Sequence, residues 1–98
     1  TYDEVIGQNG VNDANYNDYL LDQVKPGQLN VYTIHAEVEG IVRRELFEQL
    51  LCKARARGIR FKPLGELLPP PPLPRGALVA ERLAGREGWL ATQGAERR

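Results

Sequence analysis

Apolar positions follow a helical period in the middle of the chain and lose it on either side. Leu46, Phe47, Leu50, Leu51 and Ala54 recur at three- and four-residue steps among polar neighbours, which predicts a helix over residues 42–57 ended by Gly58. A shorter face of Tyr16, Tyr19, Leu20 and Val24 predicts an earlier helix, capped by Asn12 or Asp13 and stopped by Lys25-Pro26-Gly27. Residues 1–11 mix Gly7 and Gly10 with polar side chains, so a loop is expected there. Between the helices, Val31, Tyr32, Thr33 and Ile34 are consecutive β-favouring residues and predict a strand over residues 29–34, buried on both faces. A second short strand is expected over residues 59–62. Strand, helix and strand, with a 24-residue crossover from Ile34 to Ile59, make a βαβ unit with parallel, right-handed pairing.

The period breaks again after Lys62. Residues 63–68 read as a turn, and the prolines at 69–72 and 74 form a stiff connector that neither a helix nor a central strand continues through. Residues 77–84 and 88–91 fit two strands turning at Gly85-Arg86-Glu87-Gly88, although the first also scans as a helix. The expected organisation is thus an α/β part over residues 1–68, a proline-rich connector over 69–75 and a C-terminal extension over 76–98.

Composition narrows the function classes. The chain has 98 residues, no methionine and Thr1 at its start, which is expected of a piece of a longer protein. Its 13 bases balance its 13 acids, but unevenly. Residues 1–40 hold seven acids against Lys25 alone, whereas residues 41–64 hold Arg43, Arg44, Lys53, Arg55, Arg57, Arg60 and Lys62 against Glu45 and Glu48. Phe47 and Phe61 are the only aromatic residues among these bases, too little interleaving to make nucleic acid an expected partner. Cys52 is the one cysteine, which excludes an internal disulfide framework and a thiolate zinc site. It falls nearly opposite the apolar helix face and reads as an ordinary exposed thiol. No apolar run approaches the roughly 20 residues that span a bilayer, and no phosphate loop, HExxH, GxSxG or paired CxxC occurs.

The candidate chemistry lies at the end of the first strand. His35 is the only histidine, and loops at strand carboxyl ends collect catalytic groups in parallel α/β folds. Glu37 and Glu39 follow it at two-residue steps and share its strand parity if the backbone stays extended. An acid/base site fits these residues; so does a packed histidine beside two solvated acids. Alternating neighbours on one strand rarely converge on a metal ion without a further ligand.

Four blocks carry a resemblance: residues 2–7 (TyrAspGluValIleGly), 30–40 (AsnValTyrThrIleHisAlaGluValGluGly), 58–68 beginning Gly58-Ile59-Arg60, and 84–90 with Gly85-Arg86-Glu87-Gly88-Trp89-Leu90. In order and spacing they resemble the C-terminal third of the 4-deoxy-4-formamido-L-arabinose-phosphoundecaprenol deformylases, a bacterial branch of the polysaccharide deacetylase superfamily. The resemblance implies the C-terminal βα units of a distorted seven-stranded (β/α) barrel. It also implies hydrolysis of a formamido sugar carried on a polyprenyl phosphate, for lipid A modification, lipopolysaccharide biosynthesis and resistance to polymyxin, at the cytoplasmic side of the bacterial inner membrane.

In that scheme one divalent metal ion is held by residues upstream of this chain, none being expected here, and His35 is the catalytic acid that protonates the departing amine. Thr33 stands where many polysaccharide deacetylases have leucine, a change compatible with a formyl group, which has no methyl to cradle. Thr33, Glu37 and Glu39 are the supporting candidates. The chain alone is expected to be inactive. The alternatives are a related N-deacetylase acting on another sugar, or a non-catalytic interaction domain whose basic helix meets an anionic partner, including peripheral contact with an anionic membrane.

Overall fold

The computed structural model describes residues 1–97, and of Glu96 and Arg97 the backbone only. They form two compact units, Thr1–Pro63 and the residues from Leu64 onward.

The first unit is helical. In place of the loop expected at the start, α1 spans Tyr2–Val5, and the carboxylate of Glu4 accepts from the Thr1 amine at 3.4 Å. The chain then reverses through Gly7 and Gly10, whose φ of 78° and 76° suit glycine, and the Gly7 N–H bonds the Val11 carbonyl at 2.9 Å. Asn12 and Asn15 launch the next helix by exchanging bonds: the Asn12 side-chain oxygen accepts the N–H groups of Ala14 and Asn15 at 2.9 and 3.2 Å, and Asn15 accepts the Asn12 N–H at 2.8 Å.

Helix α2 (Tyr16–Asp22) buries Tyr16, Asn17 and Leu21, while Tyr19 is exposed and Val24 lies beyond the helix end. Its buried line differs from the sequence expectation because so short a helix is aimed by what it meets. Helix α3 (Arg44–Ala56) is that partner, and Leu21 packs with Leu50 and Ala54, flanked by Leu20, Tyr32, Phe47 and Ile59. Asn17 Nδ2 donates to the Leu46 carbonyl at 3.0 Å. Leu51, expected on the apolar face, is 37% exposed and stands off it. A second cluster joins Tyr2, Val11 and Tyr16, with Leu20 and Tyr32 packed against both clusters.

The parallel pair expected of residues 29–34 and 59–62 is not formed: among the described residues neither segment belongs to a sheet. Tyr32 and Ile59 face the helices, but Leu29, Val31, Ile34 and Phe61 are exposed. A helix satisfies its backbone internally, whereas a strand needs at least one neighbouring strand, and among the described residues these two segments have none. Between Glu37 and α3 the chain makes one π-helical turn, Val38–Val42, which the sequence did not signal.

In the second unit a 3₁₀ turn, Leu64–Leu67, precedes the proline run. Two antiparallel strands form in the tail, β1 (Arg75–Glu81) and β2 (Leu90–Arg97): the strand reading of residues 77–84 holds over the helical one as far as Glu81, whereas the second strand, expected over residues 88–91, starts at Leu90 and runs well past them. Their register slips between Gly76 and Leu78, and in the connecting loop Arg82 lies over the Trp89 ring at 4.9 Å. Arg98, the last residue of the expected extension, lies outside the described residues.

Candidate active site

After Ile34 the backbone turns instead of continuing extended, and this decides which side chains meet His35. The His35 carbonyl accepts the N–H groups of Val38 and Glu39, both at 3.1 Å, which folds residue 39 back over residue 35. Strand parity would have sent Glu37 and Glu39 the same way; the turn separates them. Glu37 and Thr33 are exposed, and among the described residues their side chains make no hydrogen bond or ion pair. Glu39 is only 5% exposed, and its Oε2 accepts the backbone N–H of His35 at 2.9 Å. His35 itself is half-buried.

The second oxygen of Glu39 leads to residues that the sequence reading passed over. Oε1 accepts the Tyr32 hydroxyl at 3.0 Å, and the Tyr32 oxygen sits 2.5 Å from that of Tyr16. Tyr32 has one proton and gives it to the carboxylate, so Tyr16 donates to Tyr32. The relay therefore starts on α2 and ends at the His35 amide. Tyr16 also meets the Tyr2 ring edge-on, centroids 5.0 Å apart, and the Tyr2 hydroxyl donates to Asp13 while accepting from Arg43 Nε at 2.9 Å. A signal existed in the sequence: tyrosines on apolar faces must find partners for their hydroxyls.

These contacts set the electrostatics. Burial works against the charge of Glu39, but the N–H groups of His35 and of Glu39 itself, the Tyr32 hydroxyl and the nearby imidazole outweigh it and hold its carboxyl below the ordinary 4.5. Burial, first of all, raises the hydroxyls of Tyr2, Tyr16 and Tyr32 above the ordinary 10.0, and the Asp13 carboxylate beside Tyr2 and the Tyr16–Tyr32–Glu39 contacts at Tyr32 add to it. The signs oppose each other. A lowered carboxyl contributes stability that is full above pH 4.5 and lost as pH falls through the folded value; raised phenols contribute stability that is full below pH 10.0 and lost as pH rises through theirs. Unfolding midpoints measured against pH should therefore be level between about 5 and 9 and fall outside that range, with the acid limb flattened in Glu39→Gln. A midpoint that sloped steadily through neutrality would contradict these assignments.

The same contacts bear on metal binding. Among the described residues no three side chains of His, Cys, Asp or Glu come together, and both Glu39 oxygens are engaged in hydrogen bonds. A cleft of about 420 Å³ opens beside the start of α3, between Asp13 and the Ile41–Arg44 stretch, but His35 is not on its wall. Three of the bases in residues 41–64 are committed internally: Lys53 pairs with Asp18 at 3.1 Å, Arg57 with Asp22 at 3.1 Å, and Arg43 with Asp13 at 3.4 Å. Cys52 is exposed, as its helical position predicted. Among the described residues no helix is long and apolar enough to cross a membrane.

No protein-family model matches the chain, and no solved structure matches it. Curated relatives do. One, from Shewanella sediminis (strain HAW-EB3), is named a probable 4-deoxy-4-formamido-L-arabinose-phosphoundecaprenol deformylase; it is 45% identical over 95 residues, which is 95% of this chain and 31% of that protein. Another of the same name, from Wigglesworthia glossinidia brevipalpis, is 38% identical over 97 residues, covering 95% of this chain and 33% of that protein. The chain thus spans about a third of the length of the curated relatives it matches.

Proposed function

We propose that this chain is the C-terminal part of a metal-dependent amidohydrolase that removes formate from 4-deoxy-4-formamido-L-arabinose on undecaprenyl phosphate. The observation that carries this reading is the 45% and 38% identity, along 95% of the chain, to two proteins named probable deformylases, a match far longer than any short motif. The fold in this reading is the last βα units of a distorted seven-stranded barrel. Residues 29–34 and 59–62 supply strands whose neighbours lie in the remainder of the protein, which accounts for the exposed apolar side chains of Leu29, Val31, Ile34 and Phe61.

His35 carries the chemistry. When an amide is hydrolysed the C–N bond breaks as the tetrahedral intermediate collapses, and the nitrogen cannot leave as an anion. An imidazolium at the end of a strand gives that nitrogen its proton and the sugar amine departs neutral. In this reading the divalent ion is held by residues of the rest of the protein, as the resemblance implies. The chain alone is therefore inactive.

The enzyme serves lipid A modification, and with it polymyxin resistance, as a peripheral protein at the cytoplasmic face of the inner membrane. Arg44, Arg55, Arg60 and Lys62 have no acidic partner among the described residues and are free to meet anionic headgroups, each contributing about 1 kcal/mol at most. The internal pairing of Arg43, Lys53 and Arg57 weakens the reading of a purely interactive basic helix.

An N-deacetylase with another sugar is the runner-up, and substrate choice separates the two. The full-length protein, given matched formamido and acetamido arabinose lipids, should release formate and little acetate. Acetate released as fast as formate would favour the deacetylase; neither product, from folded protein supplied with divalent metal, would remove both.

A further inference from the structure

One buried carboxylate holds both sides of the turn that carries His35. Glu39 Oε2 accepts the His35 N–H at 2.9 Å, Oε1 accepts the Tyr32 hydroxyl at 3.0 Å, and Tyr32 is tied at 2.5 Å to Tyr16 on α2. The His35 carbonyl is held as well, by the N–H groups of Val38 and Glu39 at 3.1 Å. Backbone on both sides of the imidazole is thus fixed to a helix through a chain of donors that only an ionised carboxylate satisfies. A glutamine has one acceptor oxygen, and its amide nitrogen would face a second donor. Burial makes such a mismatch costly, because water cannot fill in for the lost acceptor.

We propose that Glu39 is the positioning residue for His35, fixing the backbone at His35 through Tyr32 and Tyr16, so that the imidazole stands within reach of the leaving nitrogen. The proposal rests on the reading of His35 as the acid. Glu39 itself touches no reacting atom. Its contribution is geometric, and a displacement of about 1 Å at a reacting group can cost about 10²-fold in rate.

The test compares Glu39→Gln, Tyr32→Phe and His35→Gln in the full-length protein, with formate release as the assay. Glu39→Gln should lower kcat by about 10- to 100-fold with KM within about twofold, since substrate binding is untouched and only proton delivery is misplaced. Tyr32→Phe, which removes one donor but leaves the His35 amide bonded, should lose less. In amide NMR spectra the His35 N–H should lie downfield and exchange slowly in the parent and in Tyr32→Phe, and lose both features in Glu39→Gln.

If His35→Gln loses turnover while Glu39→Gln keeps it, or if the His35 amide is unchanged in Glu39→Gln, the positioning role is overturned and the acid role stands. A rise in KM matching the fall in kcat, with a lower melting temperature, would make Glu39 ordinary structural support and also overturn it. Normal turnover in His35→Gln would remove the acid role and this proposal together.

Discussion

His35→Gln in the full-length protein should lower formate release by about 10²–10⁴-fold, the range that a positioned general acid contributes. The size follows from the leaving group. Glutamine keeps much of the imidazole's volume and can hydrogen-bond the nitrogen, but it has no proton to give at neutral pH. Metal content should stay near that of the parent, because in this reading His35 acts on the leaving nitrogen rather than on the ion. A variant that lost metal and turnover together would make His35 a ligand.

The second large effect concerns the core. Leu50 is 4% exposed and packs with Leu21 and Ala54 at the contact of α2 with α3. Leu50→Ala should lower the unfolding free energy of the chain by about 2–5 kcal/mol, from lost burial plus the cavity left behind. Against a total of about 5–15 kcal/mol for a small domain, that is enough to shift the melting temperature by many degrees. Leu51, 37% exposed on the same helix, is the control, and its alanine variant should cost about 1 kcal/mol or less. Equal losses at both positions in chemical denaturation would mean that α3 packs by a different face.

The contrast between Leu50 and Leu51 shows what the sequence could and could not convey. Spacing located α3 to within two residues at its start and one at its end, and Gly58, with φ of 79°, stands just past it. The hairpin of the second unit was legible in part: glycines marked its turn, but the second strand was expected over residues 88–91 and spans Leu90–Arg97. Residues 29–34 and 59–62 were not: their pattern is that of strands, yet a strand's hydrogen bonds are non-local and no neighbour is present to accept them.

At the site, His35 stood out as the one histidine at the end of a β-favouring run, and Glu39 was visible only as one of two equivalent acids. What separates Glu39 from Glu37 is the turn after Ile34, which brings residue 39 to the amide of residue 35 and leaves Glu37 in solvent. Tyr16 and Tyr32 read as apolar packing positions because periodicity counts their rings and ignores their hydroxyls. Partners sixteen and seven residues apart along the chain, for Tyr16 with Tyr32 and Tyr32 with Glu39, are set by tertiary contact.

The central claim is that this chain delivers the proton to the amine that leaves. It is tested most directly by changing the leaving group. An activated aryl formate ester expels a phenolate that needs no proton, whereas the formamido sugar expels an amine that does. With both substrates measured on the parent and on His35→Gln, the loss on the formamide should be about 10²–10⁴-fold and the loss on the ester about tenfold or less. Equal losses on the two substrates would contradict the claim, since His35 would then be serving a step before the C–N bond breaks.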